Sequence, residues 1–503
     1  MSAPVDVLLI LEGTYPYVAG GVSSWVHALI SDLPELRFGI LSLASSWQSG
    51  ARKYALPANL EFIQEISALD LTPGWSADRP PTTRLWQVLD RFHEDIQQGR
   101  LENFAQLYEL LGQPGNRHGS FLDLTRGPQI WQILGRIYEK YARDAPFLDF
   151  YYCWRASHLT LLHLMYSAIP NARVVHTVCT GWAGLLATLA RYRLGRPMLL
   201  TEHGIYTNER RIEISQADWL EQGTADQAFF SAEMGYFKLL WTRLFEALGR
   251  LTYDHADGIY TLYRGNRELQ TQFGASLEKI RIVPNGVRIQ RFQGERAALP
   301  EQGPLRVGFI GRVVPIKDVK TLIRSAKLVR EQLPRVEFWL LGPYDEDPGY
   351  YEECLTLVEL LGLQDCLRFY GPVPVADYYP QIHLQVLTSI SEGQPLVILE
   401  GYCSGLPCVA TRVGACSELI DGLTEDDRGL GASGLMTPVC NPEATAQAIL
   451  DILTHPGLYD SMVKAAFARV QRYYDHHQMI AAYRRIYANF GAEERGTPGG
   501  HRL

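Results

Sequence analysis

LRVGFIGRVVPIK, residues 305–317, sets an apolar run of strand length against a glycine turn and two cations. A nearly unbroken apolar run of this length suits a strand buried on both faces of a parallel sheet. The downstream segments keep the rhythm: DVKTLIRSAKLVREQLP, VEFWLLGP, YYEECLTLVELLGL, LRFYGPV, LQVLTSI, PLVILEGYCSG and PCVATRV. Strand-like and helix-like runs alternate, so the segment reads as a doubly wound α/β domain.

The same pattern opens the chain. VDVLLIL, EGTYPYVAGG, VSSWVHALISDL and RFGILSL form a strand, a glycine loop, a helix and a strand. Residues 51–145 break this alternation with ALDLTPGWSADRPPTTRLW and helical runs such as RLWQVLDRFHEDI, and are expected to be an insertion or subdomain. The alternation resumes with FLDFYYCW, read as a strand, then SHLTLLHLMYSA, ARVVHTVC, GWAGLLATLARYRLG and PMLLTEHG. A charged loop, TNERRIEI, a long helix to about Leu251 and GIYTLY complete a second sheet. The Pro- and Gly-containing stretch VPNGVRIQRFQGERAALPEQGP reads as a linker.

Two doubly wound α/β domains facing across a cleft are therefore expected: 1–295, with the insertion at about 51–145, and 296–470. Residues 471–503 supply a last helix packing back on the first domain and an unpatterned end, GAEERGTPGGHRL, expected to fray. Two domains also agree with 503 residues, too many for one ordinary core. Hydrophobic residues make up 47% and charged residues 20%, a globular composition. A net charge of -8 argues against a general nucleic-acid or anionic-membrane surface. The eight cysteines form no CxxC pair, which fits reduced thiols and a cytoplasmic address. The apolar start is too short for a signal peptide, and no window reaches the roughly 18 apolar residues of a membrane span.

Ligands of doubly wound sheets sit beyond the carboxyl ends of the strands, and the candidate motifs lie at such ends. After LRVGFI, Gly311 lets backbone approach an anion, while Arg312 and Lys317 bring two cations toward one point near a helix start. That set suits a diphosphate. In the first loop, Gly20 and Gly21 can expose N–H groups to a phosphate or a sugar hydroxyl, although the dinucleotide pattern GxGxxG is absent. His176, inside VVHTV, reads as a core histidine. His203, before Gly204 and a polar segment, reads as a cleft residue able to hydrogen-bond a sugar hydroxyl or stabilise developing charge. SEGQPLVILE, 391–400, carries Glu392 at a helix entrance beside Gly393 and Pro395, with Glu400 eight positions on, about 12 Å along an ideal axis and on the same face.

Taken together, the glycine-rich first loop, PNGV at 284–287, GR with a lysine at 311–317 and SEGQPLVILE at 391–400 resemble the retaining glycosyltransferases of family 4, which have the GT-B fold. EGTYPYVAGGVSSWVH (12–27) and TEHGIYTNERRIEI (201–214) are similar, more narrowly, to the PelF-type glycosyltransferases of bacterial Pel exopolysaccharide synthesis. The resemblance implies transfer from a UDP-sugar (UDP-glucose, UDP-GlcNAc or UDP-GalNAc) with retention and without a metal. It implies that Arg312 and Lys317 hold the diphosphate, that Glu392 contacts the donor sugar and that Glu400 binds ribose. Arg312, Lys317, Glu392 and His203 form the expected catalytic set; Gly20, Gly21, Asn285, Gly311, Gly393 and Glu400 are the expected donor-binding residues. The implied partners are a polysaccharide acceptor on the first domain and inner-membrane Pel synthase or export proteins, with no nucleic acid. A UDP-sugar 2-epimerase and a non-catalytic nucleotide-sugar-binding subunit are the competing readings.

Overall fold

The computed structural model describes residues 3–13, 15–18, 20–44, 52–67, 77–215, 235–293 and 299–492. The chain forms two compact units: one holds the chain up to Thr261, Asn266–Arg281 and the residues from Tyr483, and the other holds Leu262–Gly265 and Ile282–Ala482.

In the first unit, seven strands lie in the order β3-β2-β1-β4-β5-β6-β7. They are β1 (Val5–Glu12), β2 (Phe38–Ala44), β3 (Leu60–Ser67), β4 (Ala172–Thr177), β5 (Met198–Glu202), β6 (Gly258–Thr261) and β7 (Ile280–Ile282). Every pairing from β3 through β6 is parallel. The apolar run of β1 explains its central place: Leu8, Leu9 and Ile10 are wholly buried, as a strand covered on both faces requires. Winding reverses between β1 and β4, which makes that pair the switch point of this sheet.

Three sequence expectations for this unit give way. LEFIQEIS, assigned to an insertion, is β3, paired in register with β2; as a half-exposed edge strand it keeps polar residues that blur the apolar signal. Nor do the helices that come after it form a separate core, since Leu85, Leu89 and Phe92 pack in one cluster with Leu8, Ile10 and Val175. FLDFYYCW is not a strand but the first half of the helix Phe147–Tyr166, whose buried Phe150, Trp154, Leu161 and Met165 recur at helical spacing. Here tertiary burial overrides the strand preference of the aromatic residues. The charged TNERRIEI is likewise no loop but most of the helix Tyr206–Ser215, too polar to carry an apolar stripe.

In the second unit, β8 (Leu305–Ile310), β9 (Val336–Leu341), β10 (Leu367–Gly371), β11 (Leu384–Leu387), β12 (Cys408–Thr411) and β13 (Gly434–Thr437) lie in the order β10-β9-β8-β11-β12-β13, all parallel. Alternate side chains of β8 point to opposite faces: Leu305, Val307 and Phe309 pack toward the helices Val319–Gln332 and Pro442–Thr454, while Ile310 joins Leu341, Tyr402 and Val470. Each such fully buried side chain contributes about 2 kcal/mol. The switch point falls between β8 and β11. β13 and β7, four and three residues long, escaped the sequence reading, whereas β6, β11 and β12 are as short as β13 but lie within longer apolar runs.

PNGVRIQRF, expected in the linker before a boundary at 295, stands with the second unit. Val287 N donates to Tyr474 O at 2.8 Å, His476 N donates to Val287 O at 3.1 Å, and Gly286 lies so close to His476 that a side chain has no room. Residues 294–298 of that stretch lie outside the described residues, as does the end of the chain from Glu493 that was expected to fray. The last helix, His476–Gly491, starts in the second unit and ends in the first, where Tyr483 and Tyr487 hydrogen-bond Thr201 and His176. All eight cysteines are unpaired. No helix among the described residues is long and apolar enough to cross a membrane.

Candidate active site

The carboxyl ends of β8 and β11 flank the switch point of the second unit, and the charged residues singled out from the sequence converge there. Gly311 and Arg312 leave β8 directly; a 3-10 turn, Pro315–Lys317, then delivers Lys317. Glu392 arrives from β11 through Thr388, Ser389 and Ile390. Two bonds stitch these loops together, Thr388 Oγ1 to Lys317 O at 3.0 Å and Ile390 N to Ile316 O at 2.8 Å. Lys317 Nζ and Glu392 Oε1 form an ion pair, and Ser389 Oγ donates to the same carboxylate oxygen at 2.6 Å. Both side chains are largely shielded, 19% and 11% exposed, so their attraction is screened less than that of a surface pair.

Arg312 is different. Its guanidinium pairs with Glu346, and both side chains are half exposed. Such a pair is worth about 0–1 kcal/mol, and an anionic ligand can exchange with Glu346 at little cost. The helix after Lys317 begins at Val319 and is capped by Asp318, whose Oδ1 accepts from Thr321 N at 3.2 Å. The helix end offered to a diphosphate by the sequence reading thus already holds a carboxylate.

Glu392 and Glu400 do not share a helix face. The helix runs only from Leu396 to Cys403, with Pro395 as its N-cap residue, so Glu392 belongs to the turn before it. Glu400 Oε2 instead accepts from the hydroxyl of the buried Tyr379 at 3.0 Å. Burial raises its pKa above the ordinary carboxylate value, with the Tyr379 bond and Arg291 opposing. Pro395 lacks an N–H and starts the helix late, which the eight-residue spacing could not convey.

Glycines shape this corner. An added Cβ at Gly342 would overlap the carbonyl of Gly311, and one at Gly414 would overlap the carbonyls of Glu392 and Gly393. Both have positive φ, at 144° and 51°, where only glycine sits without strain. Ala415 N donates to Gly393 O at 2.8 Å, fixing the turn from the β12 side. Asn285 N donates to Gln394 Oε1 at 2.7 Å, which joins PNGV to SEGQP, and Asn285 Oδ1 is buried without a hydrogen-bond partner among the described residues. Gly342, Gly414, Ser389, Gln394, Glu346 and Tyr379 were not singled out in the sequence. Gly342 and Gly414 come after β9 and β12 as Gly311 comes after β8, a strand-end signal that was present.

In the first unit, Gly20 and Gly21 open the helix Gly21–Ser31, and nothing lies within 4 Å of an added Cβ at either. Thr14 and Ala19 of their loop lie outside the described residues. At this unit's switch point the helix Trp182–Leu194 has its start occupied by a side chain, Ala183 N donating to Glu12 Oε1 at 3.0 Å, and Tyr206 OH donates to Glu12 Oε2 at 2.6 Å. Glu12 thus already sets a carboxylate at that helix start.

His176 is the core residue the sequence suggested, wholly buried and bonded to Tyr487 OH at 2.6 Å and Thr201 Oγ1 at 2.8 Å. His203 lies edge-on to Trp25, with ring centroids 4.9 Å apart, and its Nε2 is buried without a partner among the described residues. Burial pulls its pKa down to about 4. At neutral pH the imidazole is therefore uncharged and suited to hydrogen-bonding a hydroxyl rather than to neutralising charge.

Residues 5–278 match the family described as a domain of unknown function, DUF3492, and residues 304–455 match the family described as glycosyl transferases group 1. A D-inositol 3-phosphate glycosyltransferase from Kribbella flavida is 31% identical over 244 residues, covering 45% of this chain and 55% of the relative. Its counterpart from Acidothermus cellulolyticus is 32% identical over 223 residues, covering 41% and 48%. The chain thus spans about half the length of the curated relatives it matches. Among solved structures, sucrose-phosphate synthase from Thermosynechococcus elongatus aligns with a TM-score of 0.58 at 16% identity, over 97% of this chain and 99% of that one. HepE from Anabaena, in complex with UDP and glucose, aligns at 0.56 and 13% identity, over 96% and 99%. These likenesses identify the fold as GT-B, two Rossmann-like domains built on parallel sheets. Since the first family match takes in more than half of the chain, the protein belongs to the DUF3492 family, and its second unit carries the match to glycosyl transferases group 1.

Proposed function

We propose that the protein is a UDP-sugar-dependent retaining glycosyltransferase that extends a bacterial exopolysaccharide of the Pel type. The observation that carries this reading is the Lys317–Glu392 pair at the switch point of the second unit, with the exchangeable Arg312 beside β8. The second unit's match to glycosyl transferases group 1 supports it, as do the complexes of HepE with UDP and with UDP-glucose.

In this reading Arg312 releases Glu346 and, with Lys317, meets the donor diphosphate. Glu392, fixed by Lys317 and Ser389, accepts from hydroxyls of the donor sugar, and Glu400 accepts from the ribose. The acceptor hydroxyl attacks the anomeric carbon on the side of the leaving UDP and passes its proton to the departing phosphate oxygen. Cations held in place before the reaction stabilise the charge that grows on that oxygen, the kind of stabilisation that fixed groups supply best. Because Glu392 is already engaged by two donors, it serves here as a binding group rather than as a nucleophile. His203 hydrogen-bonds a substrate hydroxyl through Nε2. The reaction proceeds without a metal, and inner-membrane proteins carry the polymer outward.

Calorimetric titration with UDP, UDP-glucose, UDP-GlcNAc and UDP-GalNAc, followed by product analysis with and without EDTA, tests the reading. Binding of UDP and of one UDP-sugar, with EDTA-insensitive transfer to a carbohydrate acceptor that preserves the anomeric configuration, is the expected result. Interconversion of the sugar itself would favour an epimerase, and binding without any turnover would favour a nucleotide-sugar-binding subunit.

A further inference from the structure

β5 ends in Thr201 and Glu202, whose side chains point to opposite faces of the sheet. Thr201 Oγ1 bonds His176 and Tyr483 on one side. On the other, Glu202 is wholly buried, and four donors from four separate segments meet its carboxylate. Oε1 accepts from Thr180 Oγ1 at 3.3 Å and from the backbone N of Tyr206 at 3.2 Å. Oε2 accepts from Tyr253 OH at 2.8 Å and from Gln270 Nε2 at 2.9 Å. Among the described residues no cation is one of these partners; the titratable groups facing it are the Tyr253 hydroxyl of the helix Tyr236–His255 and the Cys179 thiol after β4.

A carboxylate buried without a cation is costly, and an apolar or amide side chain would fill the same space at lower cost. What distinguishes Glu202 is the turn that it closes. Its bond to Tyr206 N spans His203, Gly204 and Ile205 and caps the helix Tyr206–Ser215. Asn266 Nδ2 holds the same turn from outside, donating to His203 O at 3.1 Å, and the Glu209 carboxylate lies where a Cβ on Gly204 would stand. The turn starts from the His203 imidazole, which is seated against Trp25 with its Nε2 buried and without a hydrogen-bond partner among the described residues.

We infer that Glu202 is a positioning residue for His203: its carboxylate, held by Thr180, Tyr253 and Gln270, locks the turn 203–206 and so aims Nε2 at the substrate. The inference rests on the reading that His203 serves the transfer reaction. Burial pushes Glu202 up to about 7, so the lock changes protonation in the neutral range. Neutral, the carboxyl accepts fewer of the four bonds and the turn loosens.

Hydrogen exchange over residues 203–206, together with transfer kinetics between pH 6 and 9, tests this in the full-length protein and in Glu202→Gln. The variant is expected to exchange the Tyr206 amide roughly tenfold faster or more, and to lose about tenfold or more in kcat with UDP affinity unchanged. The wild type is expected to gain rate as pH increases through about 7, and the variant to lose that rise. A folded variant with wild-type exchange in this turn, or with wild-type kcat and pH profile, overturns the inference. Should Glu202→Gln fail to fold, Gln270→Leu removes one donor to the charged form and must move the pH inflection upward; an unmoved inflection overturns it equally. Absence of any transfer by the wild type would sink the proposed function, while the exchange measurement still judges the lock.

Discussion

Lys317 and Glu392 stand 75 residues apart in sequence and form an ion pair at the carboxyl ends of two adjacent parallel strands, β8 and β11. The pair lies where a doubly wound sheet reverses its winding, the place where such sheets open toward a ligand. Removing either charge leaves the other shielded and without its partner. Lys317→Ala is therefore expected to lower turnover on the order of 10²- to 10³-fold, as loss of a fixed group facing developing charge does. Steady-state transfer kinetics check this; a variant within about threefold of wild type would remove Lys317 from the reaction.

Arg312 supplies a contrast within the same site. Its partner Glu346 is as exposed as Arg312 itself, so little folding energy depends on the pair. Arg312→Ala should leave the melting temperature unchanged and lower turnover about a hundredfold, with a smaller effect on UDP binding. An equal loss in turnover and affinity, by kinetics and calorimetry on the same preparation, would mean that Arg312 only binds the ground state.

Glu400 predicts a pH dependence. Its pKa in the folded chain is raised above 4.5, chiefly by burial, so the folded state holds the proton longer than the unfolded chain does. The resulting stability is present at low pH and is lost as pH rises through that window. In the proposed role UDP binding runs the opposite way, because the ionised carboxylate accepts from the ribose hydroxyls more strongly than the protonated carboxyl does. Affinity should climb as pH rises above 4.5 and then level off, whereas Glu400→Gln should bind weakly and without this slope. Calorimetry across that range decides, and parallel slopes for both proteins would take Glu400 out of the ribose site.

How far the sequence disclosed this site depends on what a linear pattern can encode. Gly311, Arg312, Lys317 and Glu392 were legible because each comes shortly after an apolar strand, and strand ends of a parallel sheet gather on one edge. The partner of each charge was not legible: Ser389 and Glu346 carry no periodic signal, and only the fold brings Glu346 to Arg312. The shared helix face of Glu392 and Glu400 failed because Pro395 delays the helix start to Leu396. Similarly, FLDFYYCW has aromatic content that favours strands, and only its burial pattern within Phe147–Tyr166 reveals the helix. Glu202 and Gln270 are 68 residues apart, so their meeting around one buried carboxylate could not be read from spacing.

Arg469 and Asp427 secure the back of the second unit. They are 0% and 1% exposed, and Arg469 Nε meets Asp427 Oδ1 at 2.7 Å. The same guanidinium donates to Ile420 O at 2.7 Å, Ser433 Oγ at 2.9 Å, Gly431 O at 2.8 Å and Asp427 O at 3.0 Å. It thereby ties the helix Cys416–Asp421, which comes after the Gly414 turn against Glu392, to the segment leading into β13. Arg469→Leu leaves a buried carboxylate and several carbonyls without donors, and should cost about 3–5 kcal/mol. Arg469→Lys keeps the charge, but one ammonium cannot reach acceptors arranged around a planar fork, so an intermediate loss is expected. Urea denaturation of wild type and both variants measures this directly. A loss below about 1 kcal/mol in Arg469→Leu would mean that water or a rearranged side chain replaces the guanidinium, and that the wall behind Glu392 does not depend on it.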